Sequence, residues 1–94
     1  SNTRANANSE SNQIVIGQGV TGNGTSTVTI GNASITDNYF TGLVHANGFK
    51  LKALQTAPAS SSAPGETGEI RIDANFIYVC VAPNSWVRAA LSSW

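Results

Sequence analysis

The 94-residue sequence predicts an all-β chain: an elongated β-roll or β-prism stub, then a small C-terminal antiparallel β domain. Three observations predict it. Ile14-Val15-Ile16-Gly17 recurs as Val28-Thr29-Ile30-Gly31, fourteen positions on. Asn47-Gly48 separates two apolar stretches in the manner of a two-residue hairpin turn. Residues 68–91 hold three runs of alternating apolar residues punctuated by turn formers.

Residues 1–12 are polar and aperiodic, which predicts a flexible lead-in. Residues 13–54 form the repeat and hairpin region. Ile14 and Ile16 share one strand face, as do Val28 and Ile30, and a glycine follows each strand where the chain must turn sharply. One such unit cannot bury its apolar side alone and needs a neighbouring coil or another chain. Residues 32–36 read as a third, degraded rung, and Tyr39 and Phe40 as aromatics that end the repeat and shield it. Leu43–Ala46 and Phe49–Leu54 are the expected hairpin strands, with Lys50 and Lys52 on the solvated face of the second. Residues 55–67, rich in Ala, Ser and Pro, predict an extended linker poor in contacts and a module boundary. Residues 68–94 form the C-terminal meander, with strands expected at 69–73, 76–82 and 86–91. Alternation puts Ile70, Ile72, Ile77, Val79, Val81, Val87, Ala89 and Leu91 on one face. Arg71, Phe76, Tyr78, Cys80, Trp86 and Arg88 fall on the other.

Composition narrows the function. The chain carries five basic and five acidic residues, and charged residues make up 11% of it, against about 25% in soluble domains generally. It lacks the basic patch of a nucleic-acid binder, and no stretch is long and apolar enough for a membrane span. A single cysteine, Cys80, forms no intrachain disulfide. A small chain without disulfide or metal staples gains stability by oligomerising. Methionine is absent even at position 1, so a fragment of a longer protein is expected.

The chemistry-bearing residues favour bland readings. His45, the single histidine, becomes three around a threefold axis and so defines a candidate axial metal site. Without an HxH pattern, a polar-face strand residue is the expectation, and neither metal nor cofactor is implied. Cys80 lies between valines and reads as a small buried hydrophobe rather than a nucleophile. Asp37, Glu66, Glu69 and Asp73 sit in turns and linkers, where acids are solvated or cap the backbone, so no catalytic carboxylate pair is assigned. Gly17, Gly19, Gly22 and Gly24 are turn glycines, since no Gly-Lys-Ser/Thr follows them. Trp86, Arg71 and Arg88 are candidate glycan-binding residues, because aromatic faces stack on sugars and arginine pairs with acidic ones. The same residue types, Tyr78 above all, equally suit a subunit interface.

Gly68-Glu69-Ile70-Arg71-Ile72-Asp73, then Phe76-Ile77-Tyr78-Val79-Cys80-Val81-Ala82, Asn84, Trp86 and Arg88-Ala89-Ala90-Leu91, resembles the C-terminal end of bacteriophage tail fibres and tailspikes. The Ala57-Pro58-Ala59-Ser60 segment is similar to the one that precedes it there. The 14–17 and 28–32 repeats resemble the head repeat of trimeric autotransporter adhesins, which also occurs in phage fibres. The resemblance implies a homotrimer at the distal end of a virion fibre, extracellular, whose C-terminal module registers three chains and starts their folding. It implies the chain itself as partner, with host cell-surface polysaccharide as a further candidate. A trimeric bacterial adhesin head is the other reading. Nothing resembles a self-cleaving chaperone domain, so no cleavage is expected, and any depolymerase activity of the parent is expected upstream. The residues expected to join the chains are Ile14, Ile16, Val28, Ile30, Tyr39, Phe40, Ile77, Tyr78, Val79 and Val81.

Overall fold

The computed structural model describes residues 11–94, and every regular element in them is a strand. The strands are β1 (Ile14–Ile16), β2 (Val28–Ile30), β3 (Ile70–Ile72), β4 (Phe76–Ala82) and β5 (Ser85–Ala90). Two compact units divide between His45 and Ala46. Most of the expected lead-in, residues 1–10, lies outside the described residues.

In the first unit the repeat becomes a parallel pair. Ile14 stands opposite Val28, Val15 opposite Thr29 and Ile16 opposite Ile30, so the sequence period is the pairing register. Polar side chains repeat the spacing. Ser11 N–H donates to Thr25 Oγ1, Asn12 Nδ2 to Ser26 Oγ, and Asn32 Nδ2 to the Gln18 carbonyl, each across 14 positions. Ser11 and Asn12 therefore belong to the first rung rather than to a free lead-in. Between the strands the chain folds inward at Val20, which is buried, beside the close-packed Gly17 and Gly22.

Two expectations for this region are corrected. Residues 32–36 turn instead of adding a rung: Ile35 N–H donates to the Asn32 carbonyl, and the Ile35 side chain packs on Gly31. Tyr39 and Phe40 are exposed in the single chain and shield no coil end within it.

The hairpin expected across Asn47-Gly48 does not form, and no strand lies between β2 and β3. Neither turn residue takes the positive φ that a two-residue hairpin turn requires. Leu43, Phe49 and Leu54 are exposed, so the pair has no sheet or helix to pack on, and an isolated hairpin is marginal in water.

In the second unit β3, β4 and β5 form the expected antiparallel meander, in that order. The register aligns Arg71, Tyr78 and Arg88 in one row, and Ile70, Val79 and Val87 in the next, as the alternation predicts. The structure differs in which face it covers. Residues 55–68 are not a contact-poor linker; they fold back as a strap over the aromatic face. Gln55 exchanges two hydrogen bonds with Ile72 at the β3 edge, its N–H donating to the carbonyl and its Oε1 accepting from the N–H. Ser61 O accepts from Trp86 N–H, and Gly68 N–H donates to Cys80 O. Gly65 and Asn84 pair reciprocally, Gly65 N–H to Asn84 Oδ1 and Asn84 N–H to Gly65 O. Under the strap lie Cys80, Trp86 and Tyr78, at 0%, 5% and 7% exposure, with Ala57, Ala63 and Phe76 packed around them.

Gly17 and Gly19 separate two demands on a glycine. Both have positive φ, +128° and +65°. A Cβ at Gly17 would stand 2.8 Å from a Val20 methyl and 3.3 Å from the Gly31 backbone, whereas one at Gly19 would meet open space. Gly17→Ala is expected to destabilise the fold by about 2–5 kcal/mol, from backbone strain and overpacking together. Gly19→Ala carries the strain alone, about 1–2 kcal/mol. Denaturant melts of the two variants check the order, and equal losses would contradict it.

Candidate functional site

The strap side of the meander gathers the candidate binding residues, so Trp86, Arg71, Arg88 and Tyr78 do share a face. Their side chains are largely committed to one another. Trp86 Nε1 donates to the Ala63 carbonyl at 3.0 Å. A Cβ on Gly65 would come within 2.6 Å of the indole ring, so the strap backbone lies directly on it. The Arg71 guanidinium stands 5.0 Å from the centroid of the same ring and pairs with Glu69 at 3.0 Å. Covered in this way, Trp86 presents no open face for a sugar to stack on, which corrects that part of the glycan expectation. The physical reason is the strap: Gly, Ala and Ser have too little side chain to hold the backbone off the ring.

Arg88 differs from Arg71. Its guanidinium lies 4.2 Å from the centroid of the Phe76 ring, and no carboxylate among the described residues forms an ion pair with it. It borders a cavity of about 310 Å³ whose other walls include Pro58, Ser60, Ser61, Tyr78 and Trp86. The cavity thus offers a cation, hydroxyl groups and apolar ring surface.

Asp73 organises the β3–β4 turn. Its Oδ1 accepts from the N–H groups of Asn75 and Phe76, both at 2.8 Å, and its Oδ2 accepts from the Tyr78 hydroxyl at 2.8 Å. The Asn75 N–H, the Tyr78 hydroxyl and the Phe76 N–H, in that order, hold its carboxyl below the usual range, with the Arg88 charge adding to them. Burial, then the Asp73 carboxylate, push the Tyr78 hydroxyl up. Tyr78 accordingly belongs to the chain's own core, not to an outer surface, which changes its expected role as an interface residue.

The other candidates are dispersed. Asp37 and the exposed His45 belong to the first unit. Glu66 and Glu69 share one turn in the second, where Glu69 is taken by Arg71. Among the described residues no three His, Cys, Asp or Glu side chains converge. Cys80 is buried and donates to the Ala82 carbonyl. Gly65 and Gln55, which anchor the strap together with Asn84, have no individual signal in the sequence; the run of small residues beside two aromatics is the trace they leave.

The aliphatic residues expected to join chains have mixed surroundings. Ile14, Ile16, Val28 and Ile30 are 54–59% exposed. On the meander face away from the strap Ile77 is exposed and Val79 is half-buried at the centre of the sheet, while Val81, exposed, stands where a bulge interrupts the β4–β5 register.

A 37-residue segment is 62% identical to the capsule K30/K69-specific depolymerase 1 of Klebsiella phage K5-2. It takes in 39% of this chain and 5% of that protein, so the chain spans a small part of the length of the relative. The match supports the phage side of the resemblance seen in the residues; the adhesin-head pattern rests on the residues alone. No protein-family model matches the chain, and no solved structure matches it.

The lowered carboxyl of Asp73 gives a signed pH dependence. A carboxylate more acidic in the folded chain stabilises the fold above its unfolded pKa, about 4. That contribution is lost as pH falls through the folded value. The urea midpoint is therefore expected to drop on acidification below about pH 4. Asp73→Asn should be less stable at neutral pH and lose less on acidification. Urea melts between neutral and acid pH check this, and parallel acid profiles for the two proteins would contradict it.

Proposed function

We propose that this chain is a piece of a phage tailspike or tail fibre, and that its task there is structural. It joins three copies at the C-terminal end of the fibre and holds them in register. The match to a phage depolymerase and the motif of residues 68–91 support the source. The observation that carries the role is the stripe Ile14, Ile16, Val28 and Ile30, more than half exposed on each side chain in a chain with 11% charged residues. Fully covering a Val or Ile side chain gains about 1.5–3 kcal/mol, and leaving four of them wet forgoes a large part of that. Three chains side by side recover it. Depolymerase activity, where the parent has it, belongs to other parts of that protein, and the chain works on the outside of the virion. A trimeric adhesin head uses the same kind of stripe; the phage match favours the fibre.

Light scattering tests this role. The expected mass is three times the 9.7 kDa of one chain. Ile30→Asp places a charge on a residue 59% exposed in the single chain, so it should cost a monomer little and dissociate a trimer. A wild-type monomer would remove the proposal.

The cavity beside Arg88 favours a second reading, in which the same chain touches host surface polysaccharide. An acidic sugar would meet the Arg88 guanidinium and the Ser60 and Ser61 hydroxyls, with the buried Trp86 as part of the wall behind them. Calorimetry with a capsular polysaccharide bearing acidic sugars tests it. Binding that Arg88→Ala weakens at least tenfold is the expected result, and no heat of binding would end this reading.

A further inference from the structure

The sequence holds two Asn-Gly pairs, Asn23-Gly24 and Asn47-Gly48. Each carries the parts of an intramolecular reaction. Glycine has no Cβ, so its backbone nitrogen is unhindered and its main chain turns freely toward the preceding side-chain amide. The attack runs only where the two groups can meet in a near-attack geometry, and the fold decides that differently at the two pairs. At the first, both groups are tied. Asn23 Nδ2 donates to Thr29 Oγ1 at 2.8 Å. The Gly24 N–H donates to Gln13 Oε1 at 3.3 Å, the Gly24 carbonyl accepts from Thr27 Oγ1 at 2.7 Å, and Gly24 is buried. At the second, Asn47 and Gly48 are both exposed and lie outside every strand. Among the described residues neither the Asn47 amide nor the Gly48 N–H has a hydrogen-bond partner. A Cβ at Gly48 would meet open space.

We propose that Asn47 is a self-modification site, at which the folded chain deamidates to aspartate and isoaspartate with water as co-reactant. The Gly48 nitrogen, its proton passing to solvent, bonds to Asn47 Cγ. The Cγ–Nδ2 bond breaks, and ammonia leaves with a proton taken back from solvent. Water then opens the five-membered succinimide. Addition at Cγ restores the original main chain and leaves an aspartate. Addition at the Asn47 main-chain carbonyl breaks the original peptide link and leaves isoaspartate, whose chain runs through Cγ. Nothing is oxidised or reduced. Either product takes the formal net charge from 0 to −1. The isoaspartate form also lengthens the main chain by one atom, in a stretch between β2 and β3 that has no strand ladder to throw out of register. The proposal is independent of the self-association reading.

The test incubates the folded full chain at mildly alkaline pH. Anion exchange follows the acidic product, and fragmentation mass spectrometry locates it. The expected result is conversion of Asn47 at least tenfold faster than Asn23, with isoaspartyl methyltransferase labelling at position 47. In concentrated urea the two pairs should convert at similar rates, because the hydrogen bonds that hold Asn23 and Gly24 are gone. Gly48→Ala has room for its methyl and no positive φ to strain. It should slow conversion at least tenfold and leave the far-ultraviolet dichroism unchanged. Equal rates at Asn23 and Asn47 in the folded chain would overturn the proposal. So would an Asn47 that converts in urea and stays intact in the folded chain.

Discussion

A three-stranded sheet has two surfaces to keep from water, and the strap of residues 55–68 is enough chain for one of them. That constraint organises the second unit. The strap goes to the aromatic side, where Tyr78, Cys80 and Trp86 are the buried residues of the meander. The aliphatic side is left bare. Had the strap lain on the other face, Trp86 Nε1 and the Tyr78 hydroxyl would have water as partner, and the three aromatic rings of the face would stand in solvent. The chosen arrangement satisfies both polar atoms within the chain, through the Ala63 carbonyl and the Asp73 carboxylate.

Backbone groups hold the strap more than side chains do. Ser61 takes the Trp86 N–H, Gly65 and Asn84 exchange a pair, and Gly68 donates to Cys80. Such a strap needs residues without bulk, because its main chain must lie against a ring. Asn84, with φ of 56°, turns the chain between β4 and β5 and at the same time offers its side-chain oxygen to Gly65. One residue thus serves the hairpin and the covering layer together.

Much of the architecture was legible in the sequence. The fourteen-residue period became the parallel register, and alternation assigned the meander faces correctly. Which face would be covered was not legible, because hydrophobicity marks what wants burial and not what buries it. Ala, Ser and Gly give no apolar signal, so a covering strap reads as a linker. The Asn47-Gly48 hairpin failed for the converse reason: its turn signal is local, and Leu43, Phe49 and Leu54 stay largely exposed, so burial adds little to make the strands worthwhile. The degraded rung failed because Ile35 found contact at once on Gly31. At the candidate site, sequence brought Trp86, Arg71 and Arg88 to one face but could not see that Glu69 and Gly65 already occupied two of them.

The polar ladder of the first unit has a consequence for how such a structure changes length. Ser11 over Thr25, Asn12 over Ser26 and Asn32 over Gln18 all keep the same spacing as Ile14 over Val28. Insertion of one residue inside a rung would turn the aliphatic stripe inward and break every rung-to-rung hydrogen bond beyond it. Insertion of a whole rung would leave both ends of the unit with the neighbours they already have. Growth and shortening of this part of the chain are therefore quantised, and duplication of a single genetic module is the smallest edit that the geometry accepts without rewriting its surface.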